Sequence, residues 1–249
     1  MGTGMAKITT TEAVRRHAEV RRVEHLPVPT LANAKRPRWL LVASGKGGSG
    51  KTSTSLNLSV CAAHDGLRVA MVDLDRQATL SRWYERRPDD APALTLWHGP
   101  MGDAARAISD IDGLPDIDLV VVDTPPGLDD HLEASRLLVA RADFVLVPTT
   151  PGTADIDSVV EWMKFLKRER ANASFLLNKV QRAHTRYRTA KLRLNRSGAL
   201  CPVDVRLLDD IEATHDHGVG VIEIRKSRGA EDFTAVWDYI KQQLGMADQ

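Results

Sequence analysis

From residue 38 onward the chain alternates short apolar runs with longer amphipathic ones. Residues 39–44, 67–73, 94–97, 117–123, 144–147 and 174–178 are apolar at successive positions, and a weaker run covers 200–203. A strand apolar on both faces is covered by helices on both sides, as in a parallel sheet. Between these runs, helical periodicity marks residues 51–64, 77–87, 103–108, 130–140, 155–170 and 230–244. The alternation predicts an α/β fold, a doubly wound and mostly parallel sheet flanked by helices, in a single domain over residues 38–249.

Residues 1–37 read as a basic N-terminal extension. Thr9-x-x-Glu12 matches a capping box, so a short arginine-rich helix is expected to about Glu24, and Pro27, Pro29 and Pro37 then break regular structure. Composition adds little. Lys plus Arg is 34 and Asp plus Glu is 33, so net charge does not point to a partner and only the distribution of charge can. Two cysteines, Cys61 and Cys201, lack metal-ligand spacing and read as buried thiols of a reducing compartment. No run reaches the length of a membrane span and the N-terminus has no apolar signal core, so a cytoplasmic protein is expected.

Chemistry concentrates after the first strand. Gly45-Lys46-Gly47-Gly48-Ser49-Gly50-Lys51-Thr52 fits G-x-x-x-x-G-K-[ST], between a strand and a helix as a phosphate loop requires. Glycines let successive N–H groups turn inward toward phosphate oxygens, and the helix beginning near Lys51 adds its positive end. Lys51 would charge-pair with the outer phosphates. The Thr52 hydroxyl would ligate Mg2+, a cation that prefers oxygen, and Ser53, next on the helix, is expected with residues 45–52 to bind the nucleotide. A P-loop NTPase that binds ATP or ADP with Mg2+ is the expectation.

Two apolar strands end in acids. Asp73 and Asp75 fall on the same side of the second strand's end, and Asp123 closes the Leu119–Asp123 run before Thr124-Pro125-Pro126-Gly127. Carboxylates at the carboxyl edge of such a sheet suit a magnesium–phosphate site. No Ser/His/Asp constellation stands out among the eight histidines, and His215 and His217 read as surface residues.

The K-G-G-x-G-K-T form, with Lys46 beside the first glycine, resembles the deviant phosphate loop of the ParA/MinD ATPases, most closely the small plasmid-type ParA partition proteins. The resemblance covers about residues 38–245. It includes the D-x-D-x-Q segment at 73–77, with Arg76 where proline is frequent, and D-T-P-P-G at 123–127. It continues through Val147-Pro148-Thr149-Thr150-Pro151 with Asp155, Leu177-Asn178-Lys179, Pro202-Val203-Asp204-Val205-Arg206-Leu207 and Lys226-Ser227-Arg228-Gly229-Ala230. It implies a homodimer that sandwiches ATP, in which Lys46 reaches the other subunit's nucleotide. It also implies that Asp75 positions the attacking water, Asp73 and Asp123 support the metal, and Asn178 and Pro202 meet the base.

What such an ATPase would act on is read from charge. Residues 161–206 hold twelve Lys or Arg (164, 167, 168, 170, 179, 182, 186, 188, 191, 193, 196, 206) against three acids (161, 169, 204), a stretch suited to a polyanion. The resemblance implies nonspecific double-stranded DNA binding on the nucleoid, with Arg193, Arg206 and Arg228 as candidates, and a ParB-like centromere-binding partner that stimulates hydrolysis. A MinD-like membrane or cargo positioner and a nucleotide-gated DNA-binding regulator with little turnover remain as alternatives. The membrane reading is disfavoured, because Phe233, Val236, Trp237, Ile240 and Leu244 look like a core stripe and Lys241 is the one basic residue beside them.

Overall fold

In the computed structural model the described residues are 36–247. The expected helix near Glu24 lies outside them. Six strands form one fully parallel sheet: β1 (Arg38–Val42), β2 (Val69–Asp73), β3 (Leu94–His98), β4 (Leu119–Asp123), β5 (Phe144–Thr149) and β6 (Ala173–Leu177), in the order β3-β2-β4-β1-β5-β6. The connecting helices are α1 (Lys51–His64), α2 (Thr79–Glu85), α3 (Ala104–Asp112), α4 (Leu132–Arg141), α5 (Thr153–Arg168), α6 (Thr185–Ser197), α7 (Asp209–His217) and α8 (Gly229–Gln243).

The doubly apolar strands divide their side chains between two cores. Trp39, Leu41, Val120, Val122, Val145 and Val147 face one side, under α3, α4, α5 and α6. Leu40, Val42, Val121, Leu119, Phe144 and Leu146 face the other, under α1, α2, α7 and α8. The two-residue repeat of a strand forces this division. The stripe Phe233, Val236, Trp237 and Ile240 on α8, with Leu244 just past its end, is buried in the second core. It is therefore packing surface, as its sequence suggested, and is not free to enter a lipid interface. Among the described residues no helix is long and apolar enough to cross a membrane.

Three expectations change. The run at 200–203 is not a strand of the sheet. That loop touches β6 and its continuation through single bridges, Phe175 to Leu200 and Val180 to Arg206. Helices α6 and α7 were not foreseen, because each buries little: Ala190 and Leu194 on α6, Ile211 and Thr214 on α7. With so few apolar positions their periodicity is faint.

Both thiols are buried, as expected, and burial pushes each up to about 12. At pH 8 the reactive thiolate is then about one part in ten thousand. Ellman's reagent should find no reactive thiol in the native protein and two after denaturation. A fast-reacting thiol in the native state would contradict this packing.

Candidate functional site

The phosphate loop sits where β1 meets α1, at the carboxyl edge of the sheet, the usual ligand edge of such folds. Gly48 and Gly50 hold left-handed φ values of 76° and 85°. At Gly50 a Cβ would lie 2.3 Å from Asn178 Nδ2, so glycine is required there for both conformation and space. Asn178 is buried. Its Nδ2 donates to Ser49 O at 3.1 Å, and its Oδ1 accepts from the Lys179 amide at 2.8 Å. Asn178 thus props the loop from behind. Pro202 is exposed on the loop that leads from α6 toward α7.

Parallel pairing in register sets Asp73 opposite Asp123 at the ends of β2 and β4. Both are buried. Asp123 accepts from Thr52 Oγ1 at 2.7 Å and from Ser55 Oγ at 3.0 Å. Burial, and then the charge of Asp73, push Asp123 up to about 7 against the pull of Thr52, Lys51 and Ser55. Asp73 is turned into the protein: Oδ2 accepts from the amide and hydroxyl of Ser81 at 2.9 and 2.7 Å, and Oδ1 accepts from the Asp75 amide at 3.1 Å. It is a strut between the β2 end and α2, which places Thr52 and Asp123 ahead of it as metal ligands. The paired hydroxyl and carboxylate are hard oxygen donors of the kind Mg2+ takes, so the residues fit that ion. Asp75 is half-buried, caps its own turn through the Gln77 amide at 2.9 Å, and has the freer carboxylate.

The two lysines of the loop part company. Lys51 is buried and donates to Lys46 O at 3.0 Å; burial lowers its pKa while Asp123 and Asp75 pull it back. Lys46 points away from its own loop. Its side chain is 45% exposed and its amine bonds Asp155 near the start of α5, which also accepts from Thr150 Oγ1. Burial opposes ionisation of Asp155, but these bonds outweigh it and hold its carboxyl below the ordinary range.

The three candidate DNA arginines do not meet in one site. Arg193 pairs with Asp157. Arg206 is clamped by Asp232 at 2.9 Å and donates to Arg228 O at 2.7 Å, fastening the start of α8. Arg228 is exposed. Arg182, Arg186, Arg188 and Arg196, on or just before α6, are also exposed, and none has a carboxylate partner among the described residues. Helix α6 is tied to the 200–206 loop by Tyr187 and Lys191, which reach buried Asp204 at 2.6 and 3.0 Å.

Sequence reading missed Ser55, Ser81 and His215. Ser55 lies one turn beyond Lys51 on the same helix, and that spacing was the available signal. His215 is not a plain surface residue: it is half-buried and its Nε2 lies 2.8 Å from Ser53 Oγ.

A strand–glycine loop–helix turn, a second lysine whose side chain turns away from its own loop and a half-buried Thr52 bonded to buried Asp123 define a phosphate-loop α/β protein of the two-lysine kind. The chain belongs to the CobQ/CobB/MinD/ParA nucleotide binding domain family, whose profile matches residues 40–217. It is 36% identical over 125 residues to the maintenance of carboxysome distribution protein A of Gloeobacter kilaueensis; the match takes in 50% of this chain and 55% of that one. Its fold is like that of the cell division ATPase MinD of Pyrococcus furiosus (TM-score 0.70, 19% identity, 82% of this chain and 98% of that one). It is also like a plasmid partition protein of Borrelia burgdorferi bound to AMPPNP (TM-score 0.67, 16% identity, 83% and 100%).

Because Asp123 keeps its proton to a higher pH when folded, its contribution to stability is present below the ordinary carboxylate pKa near 4 and is lost as pH rises through about 7. In metal-free, nucleotide-free protein, Asp123→Asn should therefore gain on wild type as pH rises from 5 to 8 in denaturant melts. A stability difference that stays flat over that range would show that Asp123 does not carry the raised pKa.

Proposed function

We propose that the protein is an Mg2+-dependent ATPase that pairs with a second copy around ATP, rides nonspecifically on DNA in that state, and lets go on hydrolysis to ADP and phosphate. The observation that carries this reading is Lys46. Lys51 already serves the phosphate loop from within, whereas Lys46 is half-exposed at its mouth and held by an outside carboxylate. A lysine so placed can reach a nucleotide across an interface and neutralise charge that develops in phosphoryl transfer. Lys51 and the loop amides would hold the phosphates, and Thr52 and Asp123 would hold the metal. The metal would draw charge from the phosphate oxygens. Asp75 would orient the attacking water, with Asp73 fixing its turn. Asn178 and Pro202 border the place of the base.

Cargo is the finer question. One relative is named for carboxysome distribution and a structural neighbour for plasmid partition. Both are compatible with a dimer that uses DNA as its track, at the nucleoid in the cytoplasm, and a second protein as its release signal. The basic stretch supports the DNA track common to both; DNA segregation with a ParB-like partner is the reading proposed, and positioning of another cargo is the alternative. The track itself would be gripped by Arg228 and the unpaired arginines of α6, rather than by Arg193 and Arg206, whose guanidinium groups are engaged.

Fluorescence anisotropy with a random-sequence duplex tests the track. Binding should need ATP and weaken steeply with salt, as phosphate contacts do. Replacing Arg186, Arg188 and Arg196 together by alanine should weaken it about a hundredfold at fixed salt, taking each contact at about 1 kcal/mol. Absence of binding with ATP, ADP or no nucleotide would remove DNA from the proposal.

Turnover and sedimentation test the lysines. Lys51→Ala should abolish productive nucleotide binding. Lys46→Ala should bind nucleotide yet lose hydrolysis, and Asp75→Ala should lengthen the life of an ATP-bound dimer. Wild-type turnover by Lys46→Ala would overturn the role given to that residue.

A further inference from the structure

Thr52 and Ser53 are neighbours on the first turn of α1, about 100° apart around the helix axis. Their hydroxyls go to different partners. Thr52 bonds Asp123 on the metal side, and Ser53, itself buried, meets His215 Nε2 at 2.8 Å on the side of α7. One turn earlier on the same face of α7, Glu212 pairs with Lys179 at 3.1 Å, directly after Asn178. Helix α7 therefore touches the phosphate loop's helix and the base-side segment through two residues three apart.

The mount is rigid. Gly218 ends α7 with φ 67°, and a Cβ there would lie 2.3 Å from the Arg86 backbone. Arg86 donates to His215 O at 3.5 Å, Arg87 to Gly218 O at 3.3 Å, and Trp83 Nε1 to Val219 O at 3.2 Å. Burial lowers the His215 pKa, with Lys179 and Arg86 acting in the same sense and Glu212 and Asp216 opposing, so the ring is held in the neutral form.

We propose that His215 is a positioning residue for the nucleotide: it fixes the Ser53 hydroxyl for the nucleotide contact already expected of that residue, at an inner phosphate left to it by Lys51. This rests on the ATPase reading above. A hydroxyl has one proton to give. When Ser53 donates it to a phosphate oxygen, it must accept from His215, so the bound state selects the Nε2–H tautomer. The pair forms a short relay that carries positive polarity from the ring to the phosphate. Since ADP and ATP share that phosphate, the relay acts on both alike and leaves the outer phosphates to Lys51.

Equilibrium binding of fluorescent ADP and ATP analogues tests this on wild type, His215→Phe, His215→Leu, His215→Gln, Ser53→Ala and the Ser53→Ala/His215→Phe double variant. Folding of each is checked by thermal melting, and the leucine variant stands in if phenylalanine unfolds the protein. His215→Phe should weaken ADP and ATP by the same factor, about tenfold, as for loss of one bond to a charged group. Glutamine, which keeps a donor near the Nε2 position, should recover to within about threefold, and the double variant should be no worse than Ser53→Ala. Unchanged affinity in His215→Phe, a loss confined to ATP, or a further full loss in the Ser53→Ala background would each overturn the proposal. Folded wild type that binds neither nucleotide would instead overturn the ATPase reading itself and this inference with it.

Discussion

The structure is organised around two carboxylates that the sheet forces together. Parallel pairing of β2 and β4 in register puts Asp73 beside Asp123, both without solvent. Neighbouring strands lie about 5 Å apart, and two full charges at that spacing repel by about 3 kcal/mol at an effective dielectric of 20. The fold answers in two ways. Asp73 is hydrogen-bonded by three donors from its own loop and from Ser81. Asp123 is left with two hydroxyl donors from α1 and a pKa near neutrality, a group that gains from a divalent cation in front of it. Lys51 lies in the field of both Asp123 and Asp75, and the buried lysine and buried Asp123 each lower the other's cost of burial.

That arrangement was largely legible in the sequence, because its parts are tied to patterns with strict physical demands. A strand apolar on both faces, a glycine run and a G-K-T turn leave few alternatives, and acids at strand ends fall on the ligand edge by topology. Helices α6 and α7 were illegible for the converse reason. Each buries two residues, so no apolar stripe stands out from the charged background. The weak run at 200–203 misled because Cys201 is buried and Leu200 and Val203 pack against the two cores, while the chain meets β6 and its continuation through single bridges and joins no ladder.

Charge is where sequence reading runs out soonest. Arg193, Arg206, Arg186 and Arg188 look alike in a list of basic residues, yet the first two face Asp157 and Asp232 from distant parts of the chain and the others face solvent. Arg206 carries a structural duty: it gathers Asp232 and the Arg228 carbonyl at the start of α8. His215 shows the same limit from the other side. Its contact with Ser53 spans most of the domain, and nothing local to His215 marks it. Partnerships made across the fold, rather than residue types, decide which of these groups remain available to a ligand.

Lys46 and Asp155 can be weighed on the same terms. Their pair is open to water, with side chains 45% and 21% exposed, and such pairs contribute about 0–1 kcal/mol. Thr150 continues to hold Asp155 whether or not Lys46 stays. Detaching the lysine therefore costs little and leaves no buried charge unpaired, whereas a nucleotide's phosphates offer it several negative charges at once. In the proposed dimer the loop backbone need not move: Lys46 changes partner by rotating its own side chain, and the glycines around it keep the cradle that Lys51 occupies. A buried ion pair at this position would have locked the second lysine in its own subunit. Exposure is what leaves it available to another.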